Sequence, residues 1–151
     1  VVVVACGHDY VKYCAEEYRL LPDETFSYMA MYRPTHLIGL ELGISVASVA
    51  LRGEPTGAPI GFFADVVATA KRDLRPGEIL DGEGGYCVWG KQVPAEVSLR
   101  EGYLPLGLAQ GVKLLRPVPV GGKVRWSDVA IDEADEAVRV RRAMERAFAA
   151  S

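Results

Sequence analysis

The chain has 151 residues, half of them hydrophobic, with 17 basic against 20 acidic residues and a net charge of −3. That composition excludes a disordered chain and provides a core for one domain, or one domain with an appendage. Lys and Arg are scattered and do not alternate with aromatics, which argues against a nucleic-acid surface.

Val1-Val2-Val3-Val4-Ala5-Cys6 reads as a buried strand that begins abruptly, too short and without the basic start of a signal peptide. A chain that opens on a core strand without Met is expected to be a piece of something longer. Gly7-His8-Asp9 is a turn whose Asp9 can cap the next helix, where Tyr10, Val11, Cys14 and Tyr18 recur on one face as far as about Leu20. Pro22 to Thr25 breaks that helix, and residues 26–32 alternate large and small side chains as a strand does. Pro34 followed by Leu37, Leu40, Leu42, Ile44, Val46, Val49 and Leu51 predicts a long, well-buried helix to about Arg52. Gly39, Gly43 and Ala47 give it a smooth side for tight packing. No apolar run reaches the roughly 18 to 20 residues needed to span a bilayer, and Glu41 interrupts the best one.

Residues 53–61 are rich in Gly and Pro and mark the best boundary in the chain. Beyond it, turns at Pro76-Gly77, Gly82 to Gly85, Gly102 and Gly121-Gly122 separate short strands, with no helix expected before Asp132. This region repeats itself. Arg72, Leu74, Gly77 and Leu80 are echoed 44 residues later by Arg116, Val118, Gly121 and Val124, so two related β-turn-β units are expected to form a pseudo-symmetric module. Residues 103–111 pass over it as a short ordered crossover. The tail from Asp132 to Ala150 is helical, with a mixed face of Ala134, Val138, Arg141, Glu145 and Phe148 and charges such as Glu136 and Arg139 one turn apart, and it is expected to lie across a neighbouring surface.

Cys6, Cys14 and Cys87 cannot all pair and none has CxxC spacing, which suits a reducing cytoplasm and thiols acting as small buried hydrophobes. His8 and Asp9 have no further partner at metal spacing, and no nucleophilic triad can be singled out. Arg33 and His36 stand at a strand-to-helix junction where a cation and backbone N–H groups can hold a phosphate or carboxylate. A structural histidine and a salt bridge from Arg33 to Glu41 or Glu24 are the plainer readings. Lys91, after Trp89-Gly90, can bring a cation over a ligand in a Gly-rich loop, or stand simply exposed.

Asp73-Leu74, Pro76-Gly77-Glu78, Gly107-Leu108-Ala109, the Gly121 turn and Trp126-Ser127-Asp128-Val129, in that order, resemble the SAF family over about residues 60–131. These small β-clip domains occur in type III antifreeze proteins, at the C-terminus of sialic acid synthases, and in sugar-acid dehydratases and flagellar P-ring chaperones. Upstream, Tyr32-Arg33-Pro34-Thr35-His36-Leu37, Thr56-Gly57-Ala58-Pro59 and Gly84-Gly85-Tyr86-Cys87-Val88-Trp89-Gly90 resemble the C-terminal third of bacterial homoserine dehydrogenase-like oxidoreductases, including those similar to deoxyxylulose phosphate reductoisomerase. The resemblance implies a parent with an NAD(P)-binding Rossmann domain first, a catalytic and dimerising middle domain next, and the SAF domain last. It also implies that Lys71 and Arg72 are the charged strand end that, in sialic acid synthases, faces a partner subunit's active site; a solvated edge is the plainer reading.

The expected fold is α+β: an N-terminal α/β segment from a catalytic and dimerisation domain (residues 1–57), a β-clip SAF domain (60–131) and a C-terminal helix (132–151). No GxGxxG follows a strand, and Gly82-Glu83-Gly84-Gly85 lies in a turn, so no cofactor site is expected in this chain and NAD(P) is implied only for the parent. The expected function is that of a cytoplasmic, homo-oligomeric C-terminal fragment, inert alone, that contributes subunit contacts and part of a substrate site built from Arg33, His36, Lys71, Arg72 and Lys91. The alternative is a free-standing, non-catalytic module that binds a small acidic or sugar-like ligand. Neither nucleic acid nor membrane is expected as a partner.

Overall fold

The computed structural model of the chain describes residues 2–5, 8–32 and 34–149, the first four and Met31 by their backbone only. It divides into two compact units, residues 1–58 and 59–151. Helices and small antiparallel sheets occur together, an α+β arrangement. No described helix is long and apolar enough to cross a membrane.

In the first unit β1 (Val2–Ala5), β3 (Tyr28–Met31) and β2 (Leu21–Pro22) form an antiparallel sheet in that order, with α1 (Asp9–Glu17) between β1 and β2 in the chain. The cap of α1 is His8, whose Nδ1 accepts from the Tyr10 N–H at 3.1 Å, so Asp9 falls one residue later, in the first turn, where its charge suits the positive helix end. Residues 38–52 are helical in three consecutive pieces, α2 (Ile38–Glu41), α3 (Gly43–Ala47) and a π-type turn (Ser48–Arg52) closed by Gly53 in the left-handed conformation. Two expectations are corrected. The helix begins at Ile38 and not at Pro34, because the Glu41 carboxylate reaches back to the Leu37 N–H (3.2 Å) and fixes the first turn there. Nor is it well buried: Leu40 is 79 % and Leu51 83 % exposed, since the described residues of the first unit provide no apolar surface to cover them.

The second unit contains the chain's core. β4 (Ala64–Ala70) pairs over its whole length with β6 (Val88–Pro94), and β5 (Ile79–Asp81), β7 (Gln110–Leu114) and β8 (Val129–Ala130) form a second antiparallel sheet. α4 (Ala95–Glu101) and α5 (Glu136–Ala149) complete it. α4 corrects the expectation of no helix before residue 132. Pro94 leads into it and Gly102, left-handed at φ 65°, ends it.

The 44-residue echo becomes a local two-fold relation. Leu74 and Val118, equivalent in the two copies, pair with each other: Leu74 N–H donates to Val118 C=O at 2.8 Å and Val118 N–H to Leu74 C=O at 3.0 Å. Exchanging the copies maps the bonds on either side of this pair onto one another. Gly121 N–H donates to Ala70 C=O (2.9 Å) as Gly77 N–H donates to Leu114 C=O (2.8 Å). Ala70 N–H donates to Gly122 C=O (2.9 Å) as Leu114 N–H donates to Glu78 C=O (2.8 Å). Thr69 likewise faces Lys123 as Lys113 faces Ile79. Gly77 and Gly121 have φ of 91° and 76°, a backbone that only glycine adopts without strain. Beneath these turns Leu74, Leu80, Val118 and Val124 are buried together with Ala68, Val88, Leu104 and Leu114.

Leu74→Ala removes a side chain at the centre of the two-fold and is expected to destabilise the second unit by about 2–5 kcal/mol. Urea denaturation followed by Trp fluorescence reports on it, because Trp89 and Trp126 both lie in this unit.

Candidate functional site

β4 leaves the sheet at Ala70 and delivers two cations in succession. Lys71 N–H donates to Cys87 C=O at 2.9 Å, and its Nζ donates to Gly85 C=O at 2.5 Å. Arg72 turns to Glu78, Nη2 to Oε2 at 2.5 Å, with the same nitrogen 3.5 Å from Cys87 Sγ. Glu78 spends its other oxygen on the Arg75 N–H at 2.7 Å. Asp81 closes the site from below by accepting from the N–H groups of Tyr86 and Cys87. The loop can wrap so closely because residue 85 is glycine: a Cβ there would run into the Asp81 carboxyl. Asp73 Oδ1 accepts from the Val120 N–H at 2.9 Å and ties this corner to the second copy of the repeat.

The electrostatics follow from these contacts. Arg72, assisted by the Arg75 N–H, holds the Glu78 carboxyl below its ordinary value. Burial works to raise the Asp81 carboxyl, but the two backbone N–H groups outweigh it and the net direction is down. The Cys87 thiol is pushed up by burial and by Asp81, and the opposing Arg72 does not reverse it. Cys87 is therefore a buried structural thiol and not an activated nucleophile. Of the two cations, Arg72 is committed to Glu78, while Lys71 uses one of its three donors on a carbonyl.

The five candidate residues fall in separate places. Lys71 and Arg72 share the strand end, Lys71 exposed and Arg72 half-buried. Lys91 stands on β6 opposite Val67, four residues beyond Cys87, with its side chain exposed and without a hydrogen bond or ion pair among the described residues. His36, in the first unit, pairs through Nδ1 with Glu41 at 2.6 Å, the carboxylate that also fixes the helix start. Arg33 lies outside the described residues. Among the described residues no group of three or more His, Cys, Asp or Glu could hold a metal ion.

Sequence reasoning missed a buried polar network at the other end of β4. Asp65, 5 % exposed, accepts from the Ser98 hydroxyl at 2.6 Å and from both terminal guanidinium nitrogens of Arg141, at 2.5 and 3.1 Å. Arg141 Nε donates to Glu145 at 2.9 Å, Glu145 also accepts from Trp126 Nε1 at 3.2 Å, and the guanidinium lies 5.1 Å from the Phe62 ring centre. This network and buried Val138 dock α5 against its own unit. A signal existed in the pairing of an acidic residue inside an apolar strand with an arginine on the mixed face of the tail, but 76 residues separate the two and no spacing rule joins them. A crevice of about 350 Å³ lies near the start of α5, lined by Gly107, Gly111, Val112, Ile131, Asp132 and Asp135.

No family model matches the chain, and no curated protein is similar enough to it to be matched.

Burial favours the neutral form of Asp65, but the Arg141 fork and the Ser98 hydroxyl prevail and its carboxyl is held below its ordinary value. A carboxyl depressed on folding adds stability that is present above the unfolded value of about 4 and is lost as pH falls through the lower folded one. The second unit is therefore expected to keep its stability from neutral pH to about 5 and to lose it below about 4. Arg141→Ala leaves Asp65 buried and unpaired and is expected to cost about 3–5 kcal/mol at neutral pH, with the deficit shrinking in mild acid as Asp65 takes up a proton. Urea midpoints of both proteins across pH check the sign.

Proposed function

We propose that this chain is the C-terminal part of a cytoplasmic homoserine dehydrogenase-like, NAD(P)-dependent oxidoreductase and that it supplies subunit contacts and one wall of the substrate site. The nucleotide-binding domain belongs to a preceding part of the parent, and NAD(P) to that domain. The observation that carries the reading is the helical run 38–52. An apolar helix left open to water on several sides is a core or interface helix without its surroundings. The two-fold pairing of the repeated turns supports the SAF part of the resemblance, as does the position of Lys71 and Arg72 at a held, ordered strand end.

Within this reading the strand-end cations differ in role. Arg72 is spent on Glu78 and shapes the loop. Lys71 keeps donors in reserve, and Lys91 is uncommitted, which makes Lys91 the group best able to meet an anionic substrate.

A second reading, a free-standing module, is favoured by the self-contained core of the second unit and the crevice beside α5. The carboxylates of Asp132 and Asp135 in that crevice suit a sugar-like ligand better than an acidic one.

Kinetics of the parent, followed by reduced-nicotinamide absorbance, separate the two. Lys91→Ala is expected to raise KM for the substrate about 10- to 100-fold while leaving KM for the nicotinamide unchanged. This chain alone is expected neither to shift nor to quench NADH fluorescence. Saturable NADH binding by the chain alone, or a parent that transfers no hydride, would contradict the reading.

A further inference from the structure

α5 carries a group of arginines that neither the strand-end site nor the Asp65 network uses. Arg139, Arg142 and Arg146 follow one another at spacings of three and four, which sets them one turn apart along one side of the helix. With Val138 and Ala143 they line a hollow of about 470 Å³, a size that suits a small molecule. Arg142 and Arg146 also line a smaller hollow with Leu99 of α4, so the space continues between the two helices.

Within the chain these charges are poorly answered. Glu145 binds Arg142 Nη1 through Oε2 at 2.7 Å, but its Oε1 is already spent on Arg141 and Trp126. Arg139 and Arg146 are exposed, and neither side chain has a hydrogen bond or ion pair among the described residues. Glu133 and Glu136, at the start of the hollow, pair with none of the three. Like charges on successive turns repel, and the described residues offer nothing more to offset them.

The geometry is that of a partly assembled clamp. The Arg142 guanidinium is held 4.7 Å from the Trp126 ring centre, and its remaining donors are left for a ligand. The three arginines cover seven residues of helix, on the order of 10 Å, a length that matches an anion with more than one charged group. Glu133 and Glu136 repel such an anion from the near end and favour the Arg142 and Arg146 end.

We propose that this hollow binds a small multivalent anion, phosphoryl- or carboxylate-bearing, with Arg142 as the fixed fork and Arg139 and Arg146 closing on it. It shares no residue with the Lys71–Arg72 corner or with Lys91, and it serves the chain under either reading of its function.

Isothermal titration calorimetry on the full chain at low ionic strength tests it, with inorganic pyrophosphate in one arm and citrate in the other. At least one of them is expected to bind at a single site with a dissociation constant below about 1 mM. Tighter binding of pyrophosphate marks a phosphoryl ligand, and tighter binding of citrate a carboxylate one. The double substitution Arg139→Gln and Arg146→Gln is expected to weaken binding at least about tenfold. It relieves repulsion between exposed, unpaired side chains, so the urea midpoint should hold or rise. Arg146→Lys keeps the charge but loses the fork and is expected to weaken binding about threefold or more. Lys91→Ala should leave the affinity unchanged. No saturable binding of either anion would overturn the inference. So would binding that Lys91→Ala abolishes while the double variant keeps it, which places the anion at the strand-end corner, or binding that Arg146→Lys leaves untouched, which is the mark of diffuse surface charge. None of these results touches the oxidoreductase reading, which is judged by hydride transfer and Lys91→Ala kinetics in the parent.

Discussion

The reciprocal bond pair between Leu74 and Val118 is the constraint on which the second unit depends. Neither sheet is large: β4–β6 has two strands, and β8, the edge of the other, has two residues. Sheets of that size are marginal in water by themselves. Here they are sewn together where the two copies of the repeat exchange backbone bonds, and the four aliphatic residues beneath the turns close the core from both sides. Each copy supplies a glycine with positive φ so that the chain can turn back onto its partner. The stability of one turn is then tied to the stability of the other.

On this symmetric frame the surface chemistry is asymmetric. Arg72 is matched by Arg116, but Asp73 and Glu78 occupy one copy where the other has Pro117 and Gly122. The first copy therefore builds an ion pair and a carboxylate bridge to Val120, and the second builds a plain turn. The Lys71–Arg72 corner is thus held by both copies but carries charge from one alone. The first unit makes the opposite statement. Its core is slight, with Ala15 and Met29 the apolar side chains buried among its described residues, and its most apolar segment faces water. We propose that other polypeptide covers this surface.

How much of this could be read from the sequence depends on the range of the interaction. The repeat was legible because turns and aliphatic pairs recur at fixed spacing, and the two-fold pairing is what such an echo predicts. Short-range punctuation was partly legible: Pro94 and Gly102 bracket α4, yet a seven-residue helix between two strands has too few turns to show a period. The cap of α1 fell on His8 and not Asp9 because a histidine nitrogen can accept the same bond as a carboxylate. The helix at 38–52 was legible as a helix but not as an exposed one, since periodicity records that a face is apolar and not what covers it. Asp65 and Arg141 were visible one by one but not as a pair, because a buried ion pair depends on a fold that brings β4 and α5 together, and no local pattern encodes that meeting.

The most direct test of the account is native-state hydrogen exchange at four amides, those of Ala70, Leu74, Leu114 and Val118. If the two copies are one cooperative structure, these four exchange only through global unfolding of the second unit, with the same opening free energy and the same dependence on urea. If the amides of Ala70 and Leu74 open at a different free energy from those of Leu114 and Val118, the copies are separate elements that merely touch, and the central role given to the Leu74–Val118 pair is wrong.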